Sequence, residues 1–204
     1  SSGLLTPFEL MLRMEEYLSS ADDWVKWYFD DSSSVKNLHG MNLFPIITSR
    51  GCTHKCVFCY RHYRGIRQHS PEYVVRHMKY LKENFNVGLF QICDELTTSS
   101  SSWVHRFCDL LLGENLNSNF IILSARVDNV DEEMLFKLKS AGCVNINYGY
   151  ESGSPRILKD IRKEVTLEQA LKTALLTKKV GLKNVPEIMI GFPNEDETTV
   201  NETI

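Results

Sequence analysis

From residue 43 onward, hydrophobic and polar positions follow two alternating rhythms, and each switch between them marks a change of element. Five apolar runs bounded by polar or glycine-containing segments predict strands over 44–49, 87–93, 119–124, 143–149 and 185–190. Runs that are apolar on successive residues suit strands buried on both faces. Between them the spacing becomes helical. Val74, Val75, Met78 and Leu81 fall on one face behind Ser70-Pro71-Glu72, an N-cap with proline at the first helical position. Trp103, Val104, Phe107, Cys108 and Leu111 mark a second helix, with Ser102 as its expected cap and Gly113 as its end. Asp131-Glu132-Glu133 opens a third, carrying Met134, Leu135 and Leu138 and ending at Gly142. Thr166 and Gln169 form a capping box ahead of Ala170, Leu171, Ala174 and Leu175, and Gly181 closes that helix.

Residues 1–42 read as a helical lead-in and linker, and residues 43–204 as the α/β core. Phe8, Met11, Leu12, Glu15 and Tyr17-Leu18 predict one amphipathic helix after Pro7. The aromatic cluster Trp24, Val25, Trp27, Tyr28, Phe29 is expected to pack against the body, and Asp30–Ser34 reads as a loop. Five β-α repeats imply a parallel sheet with ligands at its C-terminal strand ends. The repeat alone fits an open doubly wound sheet as well as a barrel.

A chain of 204 residues supports one core rather than two large domains. Its net charge of −3 gives no bulk attraction for polyanions, although a local patch could still hold RNA. No run approaches the ~20 uncharged apolar residues of a membrane helix, so no membrane partner is expected. Ser1-Ser2-Gly3 lacks a starting methionine and looks like a cloning scar. The acidic helix start Asn194–Thr198 lies close to the last residue, so the chain is expected to be an excerpt of a longer protein.

The chemistry concentrates in Cys52-Thr53-His54-Lys55-Cys56-Val57-Phe58-Cys59, just after the first strand. Three thiolates in one loop can hold three corners of a 4Fe–4S cube and leave the fourth iron open to a ligand. With His54 or His62 they could instead make a structural zinc site, although no second cysteine pair accompanies them. Cys93, Cys108 and Cys143 are scattered in apolar surroundings, which suits a reducing cytosol and a cytoplasmic protein.

Each later strand also ends in a polar or glycine-containing phrase. Asp94 and Glu95 follow the second, where carboxylates could accept from a ligand ammonium or merely cap the next helix. Arg126, after the third, could clamp a carboxylate or pair with a neighbouring acid on the rim. Glu151 and Ser152 sit between Gly149 and Gly153, a sequence that permits close ligand approach or simply a turn. Ile190 and Gly191 end the fifth strand, where apolar backbone could pack against an aromatic base or lead into a glycine-proline turn.

The cysteine spacing with Phe58 in the aromatic slot resembles the signature of the radical S-adenosylmethionine (radical SAM) superfamily. The phrases around Asp94, Arg126, Glu151 and Ile190–Gly191 resemble its later motifs in order. The resemblance covers roughly residues 43–204. It implies a partial (β/α)6 TIM-like barrel, truncated here after five strands, with Cys52, Cys56 and Cys59 on a 4Fe–4S cluster. It also implies reductive cleavage of S-adenosylmethionine to a 5′-deoxyadenosyl radical, with Phe58, Asp94, Glu95, Arg126, Glu151, Ser152, Ile190 and Gly191 around the cofactor. Asp94, Arg126 and Glu151 are expected to converge above the cysteine loop. An electron donor of flavodoxin or ferredoxin type is implied, with a small molecule rather than RNA as substrate.

The wording of the motifs is most similar to the class associated with cobalamin-binding domains, which includes anaerobic magnesium-protoporphyrin monomethyl ester cyclase and C-methyltransferases. Cobalamin would then be bound by a domain that residues 1–43 are too short to supply. A methylthiotransferase-like RNA modifier and a non-catalytic metal-binding module of the same fold are the alternatives.

Overall fold

A computed structural model describes residues 19–20, 41–60 and 65–204 of the chain. Its centre is a sheet of six strands in the order β1-β2-β5-β6-β7-β8. Five of them run parallel: β2 (Asn42–Ile46), β5 (Val87–Ile92), β6 (Asn119–Ala125), β7 (Cys143–Glu151) and β8 (Lys183–Ile188). The short β1 (Ser19–Ser20) adds antiparallel to β2 at one edge, where a helical lead-in was expected. The predicted helix after Pro7 and the aromatic cluster at 24–29 lie outside the described residues. Among the described residues β8 forms the other edge, so the sheet stays open.

The strands form because one face is covered by helices that supply matching apolar stripes. In α1 (Pro71–Phe85), Val74, Val75, Met78 and Leu81 are buried, and Ser70 caps the first turn by accepting from the Tyr73 N–H at 3.2 Å. α2 (Ser101–Gly113) buries Val104, Phe107 and Cys108, and α3 (Glu132–Ser140) buries Met134, Leu135 and Leu138. These side chains meet Phe90, Ile92, Phe120, Ile122 and Ile146 of the sheet in one continuous core. A smaller cluster of Leu43, Leu89, Ile121 and Val144 lies apart from it and is made of strand residues alone.

α5 (Leu167–Val180) begins with the expected capping box, Thr166 and Gln169 satisfying each other's backbone N–H groups, and ends at Gly181. α6 (Glu197–Thr203) is capped in the same reciprocal way by Asp196 and Thr199. The cap of α2 differs from expectation. Ser100 Oγ takes the Trp103 N–H, and the Ser102 hydroxyl turns back to Ser100. An N-cap hydroxyl reaches the amide three residues on, and only Ser100 stands at that offset from Trp103.

Two elements near the cysteines were not foreseen. The first strand stops at Ile46, and Ser49–Arg50 (β3) leaves it to pair antiparallel with Arg67–Gln68 (β4). The cysteine loop is thus the connection within a small ribbon of its own. A short helix, α4 (Pro155–Asp160), follows β7 and stands against that loop.

Candidate active site

The cysteine loop is fastened from three sides. Asp94, just past β5, is buried, and its carboxylate accepts from the Thr48 N–H at 2.7 Å, the Ser49 N–H at 3.0 Å, the Ser49 hydroxyl at 3.0 Å and the Thr48 hydroxyl. Glu95 Oε1 accepts from the Gly51 N–H at 2.9 Å. Both acids were expected to face a ligand ammonium; in the structure they bond the segment that leads into the cysteine loop. Their oxygens accept from the backbone and hydroxyls leading into Cys52 and so hold that segment in place. Gly51 has φ +90°, and a Cβ there would collide with the Gly65 carbonyl oxygen, so no other residue fits before Cys52. On the second side, the Val57 N–H donates to the Ile161 carbonyl at 3.0 Å, joining the loop to the end of α4. On the third, the Phe58 ring packs at 6.0 Å from Phe192, beyond β8.

Within this frame Cys56 is buried, Cys52 half-buried and Cys59 exposed. Burial, then the proximity of Cys56 and Cys52, pushes the Cys59 thiol up. A metal-coordinated thiol is deprotonated outright, so a cation at the triplet would reverse that effect. Burial and Arg126 keep His54 below the ordinary imidazole range. Among the described residues no three His, Cys, Asp or Glu side chains cluster tightly enough to hold a single ion. His62 lies outside the described residues. A 4Fe–4S cube spreads its thiolates over separate irons, so the donor set fits the cluster.

Arg126 reaches the cysteines from the end of β6. Its guanidinium donates to Cys56 Sγ at 3.7 Å, to both Asp128 oxygens at 2.8 Å and to the Lys163 carbonyl at 2.7 Å. Burial alone would lower its pKa, but the Asp128 bonds and the charges of Asp128, Cys56 and Cys52 outweigh that and hold it above its ordinary value. Asp128 is held below the usual carboxylate range because the Arg126 bonds outweigh its own burial. Arg126 thus pairs with a neighbouring acid and also touches one thiol of the triplet, Cys56.

Glu151 is buried at the end of β7 with φ +63°, a region costly for any residue with a Cβ. Its Oε1 accepts from Lys163 Nζ at 2.7 Å, with both side chains almost wholly out of solvent. A Cβ on Gly149 would run into both partners of this pair, which is why a glycine precedes it. Lys163 also lends its carbonyl to Arg126, so Arg126 and Glu151 are linked through a lysine that pattern reading passed over. The charges of Lys163 and Glu151 are both felt at Cys59. Asp94 does not join them; it serves Thr48 and Ser49.

The remaining expected residues are distributed as follows. Ser152 Oγ shares a hydrogen bond with the Thr203 hydroxyl at 3.0 Å and receives the Ser154 N–H, so it fastens α6. Ile190 is 65% exposed beside the less open Ile188 and Met189, leaving apolar surface at the end of β8. The Gly191 N–H is taken by Glu195.

A family model described as "Radical SAM superfamily" matches residues 46–204. The chain is 31% identical over 171 residues to the uncharacterized methyltransferase PH0819 of Pyrococcus horikoshii, covering 81% of this chain and 36% of that protein. It is 30% identical over 159 residues to the anaerobic magnesium-protoporphyrin IX monomethyl ester cyclase of Rubrivivax gelatinosus, covering 76% and 28%. The chain therefore spans about a third of these relatives. In fold it is similar to the cobalamin-dependent S-adenosylmethionine radical enzyme OxsB, with a TM-score of 0.71 at 22% identity over 81% of this chain and 26% of that one. The radical S-adenosylmethionine methyltransferase TsrM of Kitasatospora setae gives 0.69 at 20% identity over 79% and 31%. Together with three thiols set at the C-terminal edge of five parallel strands, the match across residues 46–204 makes the chain a member of the radical SAM superfamily.

Proposed function

We propose that this chain is the catalytic core of an enzyme that cleaves S-adenosylmethionine reductively and removes hydrogen from a small molecule, in the service of C-methylation or ring formation. The observation that carries the reading is the arrangement around Cys56, where one buried guanidinium touches a thiol of the triplet and shares Lys163 with Glu151. Cys52, Cys56 and Cys59 would hold the cluster. When bound, a 4Fe–4S cluster together with S-adenosylmethionine would supply one-electron cleavage of a sulfonium bond.

The chain's own residues supply the surroundings. Arg126 places a positive charge and an N–H beside the thiolates. Lys163 and Glu151 offer one donor and one acceptor of opposite charge, the pair that an amino-acid end of a cofactor requires. Ile188 and Ile190 leave apolar surface for a flat ring.

Support for methylation or ring formation comes from relatives named as a methyltransferase and a cyclase, and cobalamin on a separate domain fits that reading. A methylthiotransferase-like role has support in the 32% identity to the putative methylthiotransferase MJ0865 of Methanocaldococcus jannaschii. The cysteines weigh against a second cluster in this chain. Burial pushes the Cys108 thiol up to about 12 and Cys143 higher still, far from the thiolate a ligand must become. No helix among the described residues is long and apolar enough to cross a membrane. A reducing cytoplasm would suit an exposed thiol loop.

Anaerobic reconstitution followed by iron and sulfide counting tests the reading. Four irons and four sulfides per chain are expected, lost in Cys56→Ser, with 5′-deoxyadenosine formed on reduction. Stoichiometric zinc, or a cluster indifferent to that substitution, overturns it.

A further inference from the structure

We propose that the surface beside the cysteine loop, formed by Lys55, Lys159 and Arg162 around an apolar recess, is the docking site of an acidic one-electron carrier protein. The proposal rests on the reading above and gives its electron a point of entry. The recess has a volume of about 820 Å³ and runs from the cysteine loop along α4 to the start of α5. Leu158, Val165 and Leu167 give it an apolar wall, and Leu167 is 41% exposed. Lys55, Lys159 and Arg162 stand exposed at its rim. Glu164 is the one acid lining it, so the recess carries +2 (three cations less one anion) on a chain whose net charge is −3.

These three cations are also unneutralised. Among the described residues none of them has an ion-pair partner, whereas nearby Arg156 is held by Asp196 at 2.6 Å and distant Lys79, Lys137 and Lys179 are likewise paired. Unpaired cations around an apolar centre are what an acidic partner meets with least desolvation.

The recess is next to the thiols. Lys55 precedes Cys56, the Val57 N–H is bonded to Ile161 of the α4 wall, and His54 senses the charge of Glu164. Electron carriers form small, short-lived interfaces, of less than ~1,200 Å², and rely on charge to steer the encounter. A carrier with an acidic rim around its redox group fits that description. In the transfer it would be oxidised by one electron, and the metal centre on Cys52, Cys56 and Cys59 reduced by one, with no atoms exchanged.

The test uses the full-length protein, with Lys159→Glu and Arg162→Glu singly and together, leaving Lys55 in the metal loop untouched. Two arms use reduced flavodoxin and reduced ferredoxin as probes, and a third uses dithionite, which needs no docking. Binding of each carrier is measured by biolayer interferometry, a readout independent of turnover. The double variant is expected to bind the preferred carrier roughly 10-fold or more weakly. Raising the ionic strength from 0.05 to 0.5 M should narrow that gap, because exposed charges are screened beyond about 10 Å at 0.1 M.

Carrier-driven 5′-deoxyadenosine formation should fall in parallel, with dithionite-driven formation and iron content unchanged. Wild-type affinity for both carriers in the double variant overturns the proposal, as does an equal loss in the dithionite arm. If the unsubstituted protein forms no 5′-deoxyadenosine with dithionite, it is the enzymatic reading that fails, and the binding arm still decides the surface.

Discussion

Replacing Lys163 by methionine removes the ammonium that meets Glu151 at 2.7 Å and leaves a buried carboxylate without its counter-charge. Lys163 is 5% and Glu151 7% exposed, so water cannot make good the loss. Breaking one side of a buried pair costs about 3–5 kcal/mol, most of it the penalty on the stranded charge. For a chain of this size each kcal/mol lowers Tm by roughly 2–4 °C. Lys163→Met should therefore melt some 6–20 °C below the parent by those two scales. A second change, Glu151→Gln, removes the stranded charge and should return a large part of the loss. Differential scanning calorimetry of the parent, both single variants and the double variant gives the coupling directly. Calorimetric titration with S-adenosylmethionine then separates folding from binding, since the double variant should fold well and bind poorly. A melting point within about 2 °C of the parent for Lys163→Met, or a double variant no more stable than the single one, would refute the reasoning.

Three further expectations follow from the same geometry. Arg126→Ala removes the N–H on Cys56 Sγ, and hydrogen bonds to cluster thiolates raise the reduction potential, so a reconstituted variant should show a more negative midpoint by redox-poised EPR; an unchanged or higher potential contradicts the contact. Asp94→Ala strips four acceptor contacts from Thr48 and Ser49 and should cost about 2–3 kcal/mol in urea melts, with faster loss of iron to a chelator; parental rates of iron loss would show that the loop does not depend on it. His77, on α1, is held below the usual imidazole range by burial and then by His69, so its folded pKa lies under the unfolded value of 6.5. Protonation favours the unfolded chain, and stability should drop as pH falls from 6.5 through the folded pKa. Urea melts at pH 7.5 and 5.5 should show a smaller drop in His77→Gln, and an identical one would discard the assignment.

What the sequence revealed follows from the range over which its signals act. Helix caps are local, so Ser70, Asp131 and the Thr166–Gln169 box were readable from a few neighbours, and the strands announced themselves by apolar runs. The choice between Ser100 and Ser102 was not readable, because four serines in a row offer equivalent hydroxyls and the helix start is decided by how Trp103 packs. The cysteine triplet was legible because three donors to one group must be close in the chain when they sit in one loop.

The environment of those thiols was not legible, since it is made by long-range contacts. Asp94 is 46 residues from Thr48, and nothing in either phrase says which will seek the other. Lys163 was missed because it lies in the turn after α4, between two recognisable phrases and belonging to neither. The one available signal was Gly149, whose missing side chain marks a place where two other groups must come close.

The carboxylates of Asp94 and Glu95 bear on how the metal arrives. They grip Thr48, Ser49 and Gly51, and the Val57–Ile161 bond grips the far side, so protein contacts fix the two flanks of the loop. In small zinc modules the ion's binding energy is also the folding energy, and the empty peptide is unstructured. Here the ordering entropy of the loop is met in advance by the sheet. Metal assembly then resembles the filling of a mould more than the nucleation of a fold.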